Sequence, residues 1–143
     1  MRITISISDI TRRIYAVSAI KAVNAGDSSA PAVLTRDNAL LLRRLIRDSF
    51  ALSVGRLADV VTDFSSLDPD DGDDLLWLET NAVAASPGVA AESLAAGVLG
   101  RAMALAWSGS DLPQAEEYTR LSDTALRQLT RRTARCGRIR RHS

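Results

Sequence analysis

Histidine, the most common general base, and cysteine, the most nucleophilic side chain, occur once each and lie near one end of the chain. His142 is the only histidine and Cys136 the only cysteine among the 143 residues. A catalytic triad needs a histidine held in register with a nucleophile and an acid, which a penultimate residue in a polar segment is poorly placed to provide. Cys136 has no histidine near it in sequence, and a partly packed thiol accounts for it. We therefore predict no catalytic residues and no enzymatic activity.

An acidic segment runs from Ser65 to Asp74 and suggests a calcium loop. Its aspartates are Asp68, Asp70, Asp71, Asp73 and Asp74. With Gly72 at the glycine position of an EF-hand, Leu67 and Pro69 would take the first two ligand positions and Leu78 the last. The pattern fails, so we predict a solvated acidic loop, with an irregular cation site as the alternative. No metal is predicted.

No cofactor is predicted either. Gly97 and Gly100 lie within a helical pattern, whereas a phosphate-binding loop joins a strand to a helix. The tryptophans and tyrosines are scattered and do not form the stacking platform of a single-strand nucleic-acid binder. With one cysteine the chain has no intrachain disulfide and no paired spacing for zinc, which favours a reducing, cytoplasmic location.

Arginine is concentrated at the C-terminal end. The whole chain has a net charge of +1, but residues 124–143 contain seven arginines and no acid, and the remainder has a net charge of −6. We identify these arginines as the candidate interaction residues: Arg127, Arg131, Arg132, Arg135, Arg138, Arg140 and Arg141. They could contact nucleic-acid phosphates without reading sequence, or meet an acidic protein surface such as the acidic loop of a neighbouring copy. The third interpretation is that these arginines form a solvated chain end.

Length and hydrophobic content predict one domain with its own core. A chain of 143 residues that is 46% hydrophobic needs neither disulfides nor a structural metal. We expect a single helical domain over residues 1–129 and a basic helix end and tail over residues 130–143. The apolar stretch from Ala82 to Trp107 contains Glu92 and Arg101, so a buried helix is favoured over a membrane span.

Helical periodicity predicts four helices. The first extends from Asp9 to about Val23 with Ser8 as its N-cap, and the second from a cap at Thr35 to about Phe64. The second helix has one broad apolar face and a second stripe of Leu41, Leu45 and Leu52. The third helix begins at Ser86 and Pro87 and ends at Trp107. The fourth follows a cap at Asp111.

The last two helices carry the clearest packing signals. Small residues lie along one line of the third helix, where a neighbouring helix can approach closely: Ser93, Gly97, Gly100 and Ala104. The core face predicted for the fourth helix consists of Ala115, Tyr118, Leu121, Ser122, Ala125, Leu126 and Leu129. Its other face offers Glu116 with Arg120 and Asp123 with Arg127 as pairs four residues apart.

Two segments alternate with the period of a strand. Residues 2–7 place three isoleucines on one side, and residues 75–80 place Leu76, Leu78 and Thr80 opposite Leu75, Trp77 and Glu79. The sequence thus predicts a mainly α fold, a four-helix bundle-like domain, to which these segments could add a short two-stranded β element.

The order of these elements resembles small helical virion proteins of prophages, of the head-to-tail joining or tail-completion type. The segments that carry the resemblance are Ile7-Ser8-Asp9-Ile10, the helix from Leu40 to Val61, Ser86-Pro87, Ala106-Trp107, and Ala115-Glu116-Glu117-Tyr118 through Leu129 with its basic tail. The resemblance implies a non-enzymatic structural subunit that forms oligomers or binds other virion proteins, and is located in the virion. A nonspecific nucleic-acid-associated protein is the alternative, and no membrane partner is expected.

Overall fold

A computed structural model describes residues 1–25, 34, 38–81 and 86–142, with side chains described for residues 1–19, 34, 38–81 and 86–130. Within these ranges the chain forms β1 (Arg2–Ser6), α1 (Ile7–Ala25), α2 (Ala39–Arg56), β2 (Val61–Phe64), β3 (Leu75–Thr80), α3 (Pro87–Trp107) and α4 (Leu112–His142). The fold is mainly helical with one small antiparallel sheet.

The two predicted strands pair with each other. β1 and β3 are antiparallel, with Ile3 opposite Leu78 and Ile5 opposite Leu76. These four side chains are buried and form the core face of the sheet. On the other face, the Arg2 guanidinium lies 3.9 Å from the centre of the Trp77 ring, where a cation–π contact is favourable.

The sheet has a third strand that the sequence analysis assigned to a helix. β2 pairs antiparallel with the free edge of β3, giving the order β1-β3-β2, with a register shift between Val61 and Asp63. The prediction that the second helix reaches Phe64 is wrong, because α2 ends at Arg56 and Leu57 is its C-cap. The β-branched run that follows, Val60, Val61 and Thr62, favours extended backbone.

The start of α1 is capped by its neighbours in the sheet. Ser6 Oγ accepts a hydrogen bond from the Asp9 N–H at 3.3 Å, so Ser6 takes the N-cap role predicted for Ser8. The Asp74 carboxylate, at the start of β3, accepts bonds from Ser6 Oγ at 2.8 Å and from Ser8 Oγ at 2.7 Å. It also accepts from the Ser8 N–H at 3.1 Å, so a negative charge lies at the positive end of α1.

Three further details of the helices differ from expectation. α2 begins at Ala39 with Asn38 at its N-cap, while the predicted cap, Thr35, lies outside the described residues. The second stripe predicted for α2 is not buried as a whole, since Leu41 is 52% and Leu52 48% exposed. Ser86 occupies the N-cap of α3 as predicted, but its side chain makes no capping hydrogen bond.

The helices pack around α3, which contacts α1, α2, α4 and β1. Nine of its residues are buried, Gly97, Gly100 and Met103 among them, as expected for the predicted innermost helix. The structure does not confirm a four-helix bundle, because the sheet β1-β3-β2 is part of the same core and α4 packs mainly on α3. The first half of α4 is therefore anchored mainly by α3.

Candidate functional site

The close approach predicted for α3 occurs against α4. A Cβ atom built on Gly97 would lie 2.5 Å from Leu126 Cδ2, and one built on Gly100 would lie 3.0 Å from the backbone nitrogen of Ser122. The Ser122 hydroxyl donates a hydrogen bond of 2.6 Å to the Gly97 carbonyl oxygen. These contacts fix the position of α4 on the domain as far as the buried Leu129.

The N-terminal end of α4 is capped as predicted. The Asp111 carboxylate accepts a hydrogen bond from the Gln114 N–H at 3.1 Å. Ala115, Tyr118, Ser122, Leu126 and Leu129 are buried, which confirms most of the predicted core face. Of the other two predicted residues, Ala125 is half-buried and Leu121 is 55% exposed. The exposed side of α4 therefore includes a large apolar residue.

Only one of the seven candidate arginines has a described side chain. Arg127 is exposed and lines a small cavity of about 140 Å³ with Arg56, Leu57, Leu126 and Thr130. Arg131, Arg132, Arg135, Arg138, Arg140 and Arg141 lie on the helical backbone of α4, which continues to His142, and their side chains lie outside the described residues. The same holds for Cys136 and His142. The basic segment is thus an extension of α4.

Asp123 of α4 forms ion pairs with arginines of two other helices. Its carboxylate lies 3.0 Å from an Arg56 guanidinium nitrogen on α2 and 3.6 Å from one of Arg101 on α3. The four-residue spacing in the sequence predicted Arg127 as its partner, whereas these two arginines come from other helices. Asp123 therefore links three helices within the packed part of α4.

The acidic loop is neutralised largely by arginines of α2, which sequence reasoning did not identify. Arg43 donates hydrogen bonds to the carbonyl oxygens of Gly72 at 2.7 Å and Asp73 at 2.8 Å. Arg47 is 2% exposed, donates to the Asp73 carbonyl oxygen and lies 3.7 Å from Asp71. The spacing of four residues between these arginines places both on one face of α2, and that was the available signal.

Local hydrogen bonds order the loop further. The Asp71 carboxylate accepts from the Asp73 N–H at 2.9 Å, and this bond is the main cause that holds the pKa of Asp71 below its ordinary value. The pKa of Asp74 is also lowered, chiefly by the hydrogen bond from the Ser8 side chain. Among the described residues, no group of three or more His, Cys, Asp or Glu side chains could hold a metal ion. The loop is thus tied to α1 and α2 by its own chain.

A shallow groove lies between α3 and α4 near the start of α3. It encloses about 580 Å³ and is lined mostly by small residues, including Ser93 and Ala96 of α3 and Ala125 of α4. At its margin, Arg13 of α1 donates two hydrogen bonds to Glu92, of 3.1 and 2.7 Å, and this pairing lowers the pKa of Glu92. The described residues that line the groove do not include a convergent set of polar groups of the kind that defines a ligand site.

α3 is also apolar enough to span a membrane by length and composition. Its most apolar 18-residue window has a mean hydropathy of 1.4, and half of that window is buried in the fold. A core helix that packs against α4, α2 and β1 shows the same properties, so this observation is weak evidence for a membrane.

Comparisons of the chain with protein-family models, with curated proteins and with solved structures gave no match. The geometry of this chain therefore provides the basis for its proposed function. Its most distinctive features are the length of α4 and the exposed face of the described part of that helix.

Proposed function

We propose that this chain is a non-enzymatic structural subunit that assembles through the C-terminal half of α4. The observation that supports the proposal is that α4 continues to His142 although its last described buried residue is Leu129. Thirteen further residues of helix extend about 20 Å at 1.5 Å per residue. A helix that continues past its last described buried residue is suited to contact another molecule.

Charge supports a partner for this extension. The last 20 residues contain seven arginines and no acid, and like charges at helical spacing repel each other. A helix of about 13 residues is marginal on its own in water, although positive charge near its C-terminal end is favoured by the helix dipole. A partner with acidic groups would reduce the repulsion and hold the extension helical.

The acidic loop of a neighbouring copy is a poor choice of partner. Arg43, Arg44 and Arg47 of the same chain already lie within 4 Å of its carboxylates. Binding there would require these intrachain pairs to be exchanged, with little net gain. We therefore place the contact on other copies or other proteins, and the sequence resemblance makes a head-to-tail connector subunit of a phage or prophage, located in the virion, the particular form of this proposal.

Truncation after Leu129 tests the assembly role. Because Leu129 is the last buried residue that the structure describes, we expect the truncated chain to keep its melting temperature within a few degrees and to lose self-association. Light scattering after size-exclusion chromatography measures the mass of both forms over a concentration series. An oligomer of unchanged size after truncation would contradict the proposal, as would a full-length chain that stays monomeric at high concentration and binds no virion protein.

The same arginines support a second candidate, nonspecific binding of nucleic acid. Seven positive charges without an acid would release counterions from DNA, so the affinity should fall steeply with salt. A gel shift at 50 and 200 mM salt on mixed-sequence DNA tests this, with the chain truncated after Leu129 as control. No shift at the lower salt, or equal binding by the truncated chain, would remove this candidate.

A further inference from the structure

The exposed side of α4 carries one continuous line of residues with alternating spacings of four and three. Its described members are Glu117, Leu121, Thr124 and Gln128, all exposed. In the sequence the same spacing continues at Arg131 and Arg135. An average spacing of 3.5 residues is the period at which two helices pack along a common seam. We refer to Glu117, Leu121, Thr124, Gln128, Arg131 and Arg135 as the α4 seam.

The α4 seam is acidic at its N-terminal end and basic at its C-terminal end. Glu117 and its exposed neighbour Glu116 are at the beginning, and Arg131, Arg132 and Arg135 follow at the end. A second copy placed antiparallel therefore brings the basic end of one seam opposite the acidic end of the other. A parallel copy would place like charges opposite each other. Charge complementarity thus selects one orientation.

The charges also favour one register. With Thr124 at the two-fold axis, Glu117 faces position 131 of the other copy. Leu121, 55% exposed, then lies near position 128 of the other copy, the next member of the same seam. A two-fold contact repeats each pair, so the pairing of Glu117 with position 131 occurs twice in the complex.

We infer that the partner of α4 is a second copy of this chain, bound antiparallel along the α4 seam in this register. This inference rests on the proposed assembly role and names its partner. The α3–α4 pairs of two copies would then form one layer of four helices between subunits, with α3 on the outer side of each α4. A two-fold contact is closed, so a ring would be built from such pairs through a second surface.

Charge reversal with rescue tests the orientation and the register. In the full-length chain, Glu117→Arg places arginine opposite arginine, and Arg131→Glu places glutamate opposite glutamate. We expect each variant to weaken dimerisation about tenfold or more, measured by analytical ultracentrifugation, because like charges across an interface are repulsive. The double variant restores opposite charges and should return to within about threefold of the parent chain.

Two controls separate this effect from other causes. Arg141→Glu makes the same charge change as Arg131→Glu, but its counterpart in this register, position 107, precedes α4, so dimerisation should change little. Glu117 is exposed, so its reversal should leave the melting temperature nearly unchanged. A double variant that dimerises no better than the single variants would overturn the antiparallel register.

Crosslinking provides a second measurement. In a Cys136→Ser background, Thr124→Cys places a thiol near the two-fold axis, where a short bismaleimide should link two chains. Ser110→Cys places the same thiol about 40 Å from its counterpart at 1.5 Å per helical residue and should not link them within the pair. Equal crosslinking of both variants would also overturn the register. If truncation after Leu129 abolishes association while reversal and crosslinking fail, the assembly role stands and this inference falls.

Discussion

The close approach of α3 and α4 at Gly100 gives a prediction whose sign depends on the position of the glycine. Alanine at Gly100 would place its Cβ 3.0 Å from both Cβ and N of Ser122 and 3.1 Å from its Cα. These atoms belong to the backbone of α4 or are attached to it, so no side-chain rotation can relieve the contact. α4 would have to move away from α3 by several tenths of an ångström.

Two opposing effects determine how Gly100→Ala changes the free energy of unfolding. Alanine gains about 1 kcal/mol over glycine from helix propensity. Overpacking of a close helix contact costs about 1–3 kcal/mol, and the upper part of that range applies because backbone must shift. We expect Gly100→Ala to destabilise the protein by about 1–2 kcal/mol.

Gly55→Ala is the matched control. Gly55 is also helical, but it is exposed on α2 and a Cβ there meets nothing within 4 Å. Without the steric effect, alanine should stabilise the protein by about 0.5–1 kcal/mol. At about 4 °C per kcal/mol for a domain of this size, the melting temperatures of the two variants should differ by roughly 10 °C.

Thermal and urea unfolding followed by circular dichroism provide the measurement. Gly55→Ala shows whether helix propensity acts as expected in this chain, so it must be measured beside Gly100→Ala. If Gly100→Ala is as stable as Gly55→Ala, α3 and α4 do not approach as closely as their backbones indicate. Close packing on α3 would then not be what holds the first half of α4 in place.

Three other substitutions test the contacts around the acidic loop and α4. Arg47→Ala should destabilise the protein by about 3 kcal/mol in urea titrations, because a buried side chain and its charge-assisted bond to a carbonyl are lost. The control Arg44→Ala removes an exposed arginine and should cost less than about 0.5 kcal/mol. Asp74→Asn should lower stability at pH 7. The pKa of Asp74 is lower in the folded state, so the carboxylate's contribution to stability is present above the ordinary aspartate pKa and is lost as pH falls. The free energies of unfolding of the parent chain and of Asp74→Asn should therefore converge between about pH 5 and 2. A difference in stability that stays constant over this range would refute the prediction. Ser122→Ala should cost about 1 kcal/mol through the lost bond to Gly97, and an unchanged urea midpoint would show that this bond contributes nothing.

Local signals in the sequence predicted the elements that have clear ends. Pro87 and Asp111 marked the starts of α3 and α4, and strict alternation marked β1 and β3. The residues from Leu57 to Phe64 were misassigned because their apolar positions fit a helical face as well as a strand. Only pairing with β3, which is distant in sequence, decides between them.

The candidate site was predicted in part for a similar reason. A run of arginines without acids is visible in the sequence, so the basic end was identified directly. Leu121 was placed on the core face because its spacing fits that face, but the position of α3 leaves it exposed. The burial of Arg47 had no sequence signal, since a buried and a solvated arginine have the same local pattern.

The pairing of β1 with β3 also affects the order in which the chain can fold. Ile3 and Leu78 are neighbours in space but 75 positions apart in sequence. A ribosome adding about 5–20 residues per second needs roughly 4–15 seconds to make the second strand after the first. During that time the isoleucines of β1 have no sheet partner to cover them, and this part of the nascent chain is open to chaperones and to premature association.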